Sequence, residues 1–192
     1  MSRTFALIIA TAFGIAPVFA GENNSPWHSF VDLQGGHYDS ANACLVGVEG
    51  GVGYETGSLV HYLFAGVGQV SRGDEPDHLD EFEFGYRATY RLNERTSIFA
   101  ELGKESLSAN ALESDALGNT INLSLDSDHY FVGTGFRINV WKGLGLTFSC
   151  RYLPNVEDAA FARAGNDGLG NVVTVADDTP NFLVKLGIGY QF

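Results

Sequence analysis

The chain reads as an all-β protein, an eight-stranded antiparallel up-and-down barrel that crosses a membrane with its strands. Three observations predict it: an alternating C-terminal segment that stops on an aromatic, seven further segments with the same period of two, and an N-terminal leader for export. Residues two apart on a strand share a face. Phe182, Val184, Leu186, Ile188, Tyr190 and Phe192 therefore form one apolar face, opposite Asn181, Leu183, Lys185, Gln191 and two glycines.

At the other end, Met1 to Ala20 carries Arg3, an apolar run from Phe5 to Ala16, and small residues three and one positions before a cleavage point after Ala20. This predicts a secretory signal peptide over 1–20 and a single mature domain over 21–192. The apolar run is too short to span a bilayer. No later stretch is long enough for a transmembrane helix, so only a closed barrel of strands is open to the chain as a membrane structure. A mean hydropathy of +0.01 suits such a barrel, in which only alternate residues meet lipid.

Taken in order, the first segment, Trp27 to Tyr38, alternates weakly. The second sets Val46, Val48, Val52 and Tyr54 against Glu49 and Glu55. The third, Ser58 to Val70, is the least regular, and its pattern places Tyr62 and Phe64 outward with His61 and Gln69 inward. The fourth is the clearest, with Phe82, Phe84, Tyr86, Ala88, Tyr90 and Leu92 on one face and Glu81, Glu83, Arg87 and Arg91 on the other. The fifth points Ile98, Ala100 and Leu102 out and Ser97, Glu101 and Glu105 in. The sixth points Tyr130, Val132, Phe136 and Ile138 out, with His129, Phe131 and Arg137 in. The seventh sets Leu144, Leu146, Phe148, Cys150 and Tyr152 against Thr147, Ser149 and Arg151. The segment that ends at Phe192 is the eighth.

Connections alternate in length. Thr56-Gly57, Asn93-Glu94-Arg95 and Trp141-Lys142-Gly143 are tight turns, whereas 39–43, 72–79, 109–125 and 154–180 are longer. The short turns lie at the end where the chain starts and finishes, as short periplasmic turns do beneath longer external loops. Pro26, Pro76, Pro154 and Pro180 fall between strands or at their ends, where no ladder N–H is needed. Trp27, Tyr54, Tyr90, Trp141 and Phe192 gather at the turn end, and Phe82, Tyr130, Tyr152 and Phe182 at the loop end, as two aromatic girdles. Cys44 and Cys150 fall on the second and seventh strands, too far apart to bridge, and read as small outward residues.

The formal net charge of −12 is concentrated in the long connections. A repeat, D-x-L-G-N-x-[VI]-x-[VL], covers Asp115 to Leu123 and Asp167 to Val175. Leu-Gly-Asn reads as a tight turn before a β-run, so the third and fourth loops are expected as hairpins that continue the fifth to eighth strands. Asp115, Asn119, Asp167 and Asn171 are the candidate contact residues there. Anionic loops could bridge to lipopolysaccharide phosphates through divalent cations or bind a cationic partner, and a nucleic-acid partner is excluded by the charge. Lys104 shares the outward parity of Leu102 and could snorkel toward lipid phosphates.

Inward-facing Glu49, Glu83, Arg87, Glu101, Arg137, Arg151 and Lys185 are the candidate lumen residues, with Glu105, Arg91 and His61 beside them. Because an eight-stranded barrel is about filled by its own side chains, the favoured reading is an ion-pair network that plugs it. A narrow path for small solutes uses the same residue types. No cofactor or resident metal is expected, since no Walker loop, zinc spacing, EF-hand or nucleophile elbow is present.

The closing strand, with Tyr190 and Phe192, resembles the C-terminal signature that the barrel-assembly machinery reads in Gram-negative outer-membrane barrels. In architecture the mature chain resembles the small eight-stranded barrels of the outer membrane protein A, outer membrane protein X and opacity-protein kind. That resemblance implies a monomer in the bacterial outer membrane, without enzymatic activity, that contacts lipopolysaccharide and an extracellular or host ligand. No peptidoglycan-binding domain is expected, because the chain ends at the barrel. Ser127-Asp128-His129, with Glu157 or Asp158, is the one trace of lipid A deacylase chemistry, and its order is the reverse of that family's His-x-Ser.

Overall fold

The computed structural model describes residues 25–39, 43–72, 78–114, 120–154, 163–166, 172–175 and 181–192. Eight of its strands close a barrel: β1 (Trp27–Tyr38), β2 (Ala43–Thr56), β3 (Leu59–Arg72), β4 (His78–Arg91), β5 (Thr96–Ser114), β6 (Thr120–Trp141), β7 (Leu144–Tyr152) and β10 (Phe182–Gln191). Each pairs antiparallel with its sequence neighbour, and β10 returns to β1 through Phe30↔Gln191 to Tyr38↔Leu183. A separate two-stranded sheet joins β8 (Arg163–Asn166) to β9 (Val172–Val175). Among the described residues no helix is long and apolar enough to cross a membrane. The expected leader over 1–20 lies outside the described residues.

The seam between β1 and β10 is fastened at both ends. Ser29 and Phe192 exchange backbone hydrogen bonds at one rim. At the other, the Asp39 carboxylate accepts from the backbone N–H groups of Asn181 and Phe182, both at 2.9 Å. Phe192 packs outside the wall on Val31 and Val48.

Turn chemistry follows the sequence. Gly57 takes φ +65° between β2 and β3. Lys142 and Gly143 both have positive φ, 36° and 87°, the geometry that twists a two-residue hairpin with its strands. Asn93 Oδ1 accepts from the backbone N–H groups of Arg95 and Thr96 at 2.9 and 2.8 Å.

The long connections differ from one another. β5 and β6 stay paired six residues beyond the last β4 partner, from Ala109↔Leu125 to Ser114↔Thr120, which extends a ribbon by about 20 Å at ~3.3 Å per residue. The hairpin expected of the third loop is therefore present. In the fourth loop the described residues form a hairpin, β8–β9, in a sheet of its own, and among the described residues the pairing of β7 with β10 ends at Tyr152↔Phe182, short of the expected continuation. Pro154 follows β7 almost at once, and a residue without an N–H cannot extend the ladder.

Outward residues on β4 to β7 and β10 follow the predicted parity, with Leu102, Tyr130, Val132, Leu146 and Leu186 all more than half exposed. At the girdle positions Trp27 meets Tyr54 edge to face at 5.2 Å, and Tyr152 lies 5.3 Å from Phe182. β3 is reversed relative to expectation: Tyr62 and Phe64 are buried inside, while His61 and Leu63 face out. The lumen accounts for this, because it is filled by aromatic rings as well as charges. His61 stacks on Tyr86 on the outer wall instead.

The lumen as candidate functional site

Four inward rings, Phe30, Phe64, Phe99 and Phe131, occupy the middle of the barrel, each 5 % exposed or less. Inward glycines make room for them. A Cβ on Gly103 would lie 2.6 Å from Phe131 Cζ, and one on Gly53 would lie 2.5 Å from the Tyr62 ring. The rings in turn carry the two central guanidinium groups. Arg87 Cζ lies 4.5, 4.9 and 5.1 Å from the centroids of Phe99, Phe64 and Phe30, and Arg151 Cζ lies 4.2 Å from that of Phe131. Guanidinium planes over aromatic faces keep much of their stabilisation away from water.

Charges are layered along the axis. Nearest the turn end, Arg137 Nη1 donates to Asp32 Oδ1 at 2.7 Å, and its Nη2 donates to the backbone carbonyl of Gly189 at 2.9 Å. Thr147 Oγ1 donates to Asp32 Oδ2 at 2.9 Å. In the middle, Arg87 Nη2 reaches Glu49 and Glu101, both at 2.6 Å. Arg151, wholly buried, donates to Glu101 at 2.6 Å, to Glu49 at 3.0 Å and to Glu83. Toward the loop end, Lys185 Nζ bonds both oxygens of Glu83 at 3.0 and 2.9 Å. Above them Tyr38, Ala43, Leu45, Val70, Leu107, Leu153 and Leu183 close an apolar cap.

Geometry thus joins Glu49, Glu83, Arg87, Glu101, Arg151 and Lys185 in one network and puts Arg137 in a second layer with Asp32. His61 lies outside the wall, and Arg91 pairs with Glu55 at 3.1 Å at the turn-end rim. Sequence reading missed Asp32, Gln34 and Tyr38. Asp32 carried a signal, a carboxylate between Val31 and Leu33 in a strand otherwise apolar at that point. A cleft of about 50 Å3 at the turn end, lined by Asp32, Tyr62, Arg87 and Arg137 among others, has room for a few waters at most.

Outside the lumen, Lys104 Nζ donates to Asp128 Oδ2 at 2.7 Å, and Ser106 Oγ donates to Asp128 Oδ1 at 2.6 Å. Asp128 is exposed, whereas His129 is buried on the lumen side of the wall, away from lipid. The side chains of Ser127, Glu157 and Asp158 lie outside the described residues, as do Asp115, Asn119, Asp167 and Asn171. Cys44 and Cys150 are free thiols; each is outward on strands that β1 and β10 separate.

No protein-family model matches the chain, and no curated protein matches it. Solved structures do. The N-terminal β-barrel domain of Pseudomonas aeruginosa OprF superposes with a TM-score of 0.56 at 12 % identity, over 86 % of this chain and 97 % of that one. Neisserial surface protein A gives 0.54 at 14 % identity over 88 % and 98 %. Ail, the attachment invasion locus protein of Yersinia pestis, gives 0.51 at 17 % identity over 88 % and 99 %. At these identities the likeness is one of fold: with its apolar outer wall, two girdles and closed seam, the chain has the fold of the small eight-stranded bacterial outer-membrane β-barrels.

Proposed function

We propose that the protein is a non-enzymatic barrel of the bacterial surface, exported through residues 1–20 and folded over 21–192 as a monomer, whose acidic external hairpins contact the surroundings. The carrying observation is the β5–β6 ribbon. It stands about six residue pairs beyond β4, and neither β4 nor β7 pairs with its outer part. From Ala109 to Leu125, the stretch beyond β4, the sequence holds Glu113 and Asp115 and no lysine or arginine. A two-stranded ribbon with open edges and a single sign of charge suits a cationic extracellular ligand taken by edge pairing. It equally suits lipopolysaccharide phosphates bridged by divalent cations. Asp115 and Asn119, between β5 and β6, and Asp167 and Asn171, between β8 and β9, are the residues assigned to that contact. Tyr190 and Phe192 are assigned to recognition by the assembly machinery.

The filled lumen favours a plug over a channel, and the burial of His129 inside the lumen, away from lipid, counts against deacylase chemistry. Protease treatment of intact cells tests the orientation: cleavage within 109–125 or 154–180, with the barrel protected, is expected. In planar bilayers the protein should be silent. Discrete conductance that changes in Glu83→Gln or Arg137→Gln would replace the plug with a solute path. Lipid A from cells with and without the protein should have the same mass.

A further inference from the structure

The loop end of the lumen holds more negative charge than its cations match. Among the described residues, five buried carboxylates in the central network, Glu49, Glu81, Glu83, Glu101 and Glu105, face three buried cations, Arg87, Arg151 and Lys185. Two negative charges are left over, and a charged His129 would still leave one. The excess is localised. Arg87 and Arg151 are taken by Glu49, Glu83 and Glu101. Lys185 sits on both oxygens of Glu83 and stands 3.5 Å from Glu81 Oε1. Glu105 receives the Tyr38 hydroxyl on Oε1 at 2.6 Å.

Glu81 Oε1 and Glu105 Oε2 are buried without a hydrogen-bond donor. Carboxylate oxygens of Glu81, Glu83 and Glu105 lie within 4.8 Å of one another. The apolar cap of Leu45, Val70, Leu107, Leu153 and Leu183 keeps water from relieving them. Three carboxylates held this close in a dry site, with one ammonium between Glu81 and Glu83 and a hydroxyl on Glu105, require a further positive partner or a proton.

We propose that Glu81, Glu83 and Glu105 form a structural calcium site within the lumen. The inference rests on the lumen alone and stands whether or not the external loops bind a partner. An all-carboxylate donor set favours hard cations over transition metals. A buried donor set made wholly of protein carboxylates suits calcium better than magnesium, which gives up its waters reluctantly and is seldom held by an all-protein cage. A divalent ion also matches the two-charge excess. The ion would tie β4 to β5 beneath the cap and draw in the two oxygens that have no donor.

Protein purified from membranes in millimolar CaCl2 and then desalted should retain one calcium per chain by elemental mass spectrometry. Its urea midpoint should rise above that of an EDTA-treated sample. Glu105→Gln should lose both the retained ion and the calcium-dependent shift; Glu81→Gln should do the same, and serves if the first variant does not fold. Calcium retained in both variants would place the ion on the acidic loops and overturn the site. No retained ion, with Glu105→Gln more stable than the parent at every calcium concentration, would mean that the carboxylates share a proton, and would overturn it as well. An equal shift with magnesium would overturn the choice of ion.

Discussion

Arg151 and Glu101 face each other across the lumen with Nε donating to Oε1 at 2.6 Å, and neither side chain reaches solvent. Glu101 offers its second oxygen to Arg87 at 2.6 Å, so one carboxylate joins the two guanidinium groups that occupy the middle of the barrel.

Arg151 also serves Glu49 and Glu83. Replacing it with methionine keeps much of the volume and strands carboxylates in a dry site, which should cost about 3–5 kcal/mol. Arg151→Lys should recover only part of this, since one ammonium cannot hold three carboxylates in fixed directions. Urea unfolding in lipid vesicles, read by gel mobility without heating, measures both. A neutral Arg151→Met would mean that the network contributes nothing to stability.

A Cβ on Gly103 would press on the backbone carbonyl oxygen of Phe84 and meet the Phe131 ring at 2.6 and 2.9 Å. Gly103→Ala should lower stability by about 1–3 kcal/mol through overpacking. Phe131→Leu in the same chain should return part of the loss, and a double-mutant cycle gives the coupling.

Phe192 covers Val31 and Val48 on the outer wall, with its ring tilted against that of Tyr190 at 4.7 Å. Phe192→Ser should reduce the amount of folded protein in outer-membrane fractions, and Phe192→Leu should reduce it less. Equal yields from both variants and the parent would show that the closing aromatic is dispensable.

Lys142 holds φ 36° in a hairpin whose geometry favours asparagine or glycine. Lys142→Asn should raise stability by up to about 1 kcal/mol, since left-handed backbone costs an ordinary L-residue roughly 1–2 kcal/mol. Gly143→Ala should act in the opposite direction, because Gly143 has φ 87° and a Cβ there would lie 2.5 Å from the Gln191 carbonyl oxygen.

Most of the wall was legible in the sequence because lipid and lumen ask for opposite chemistry on β4, β5, β6, β7 and β10. On β3 they do not. Tyr62 and Phe64 fill the lumen while Leu59 and Leu63 face lipid, so both faces are apolar and hydrophobicity gives no phase. His61 and Gln69, the two polar residues that suggested one, lie on the outer wall. Among the lumen charges, which residues face inward could be read from alternation, but not which ones touch. Lys185 and Glu83 meet from β10 and β4, strands that are not paired neighbours, so their contact is set by barrel stagger and side-chain reach. Asp32 was overlooked because β1 carries Gly35, Gly36 and few clear alternations around it.

The seam between β1 and β10 has a kinetic consequence. Every other strand pairing in the barrel joins strands that follow one another in chain order around it, with the longest of these closures from β7 to β10, so the sheet can grow hairpin by hairpin. One step is different: Phe30 must find Gln191 across almost the whole polypeptide. Until it does, two edges with unpaired N–H and C=O groups have to be kept from lipid and from other chains. Closure should therefore be the slow, late event of biogenesis, and substitutions in Asp39 or Ser29–Phe192 should change its rate more than they change the finished barrel.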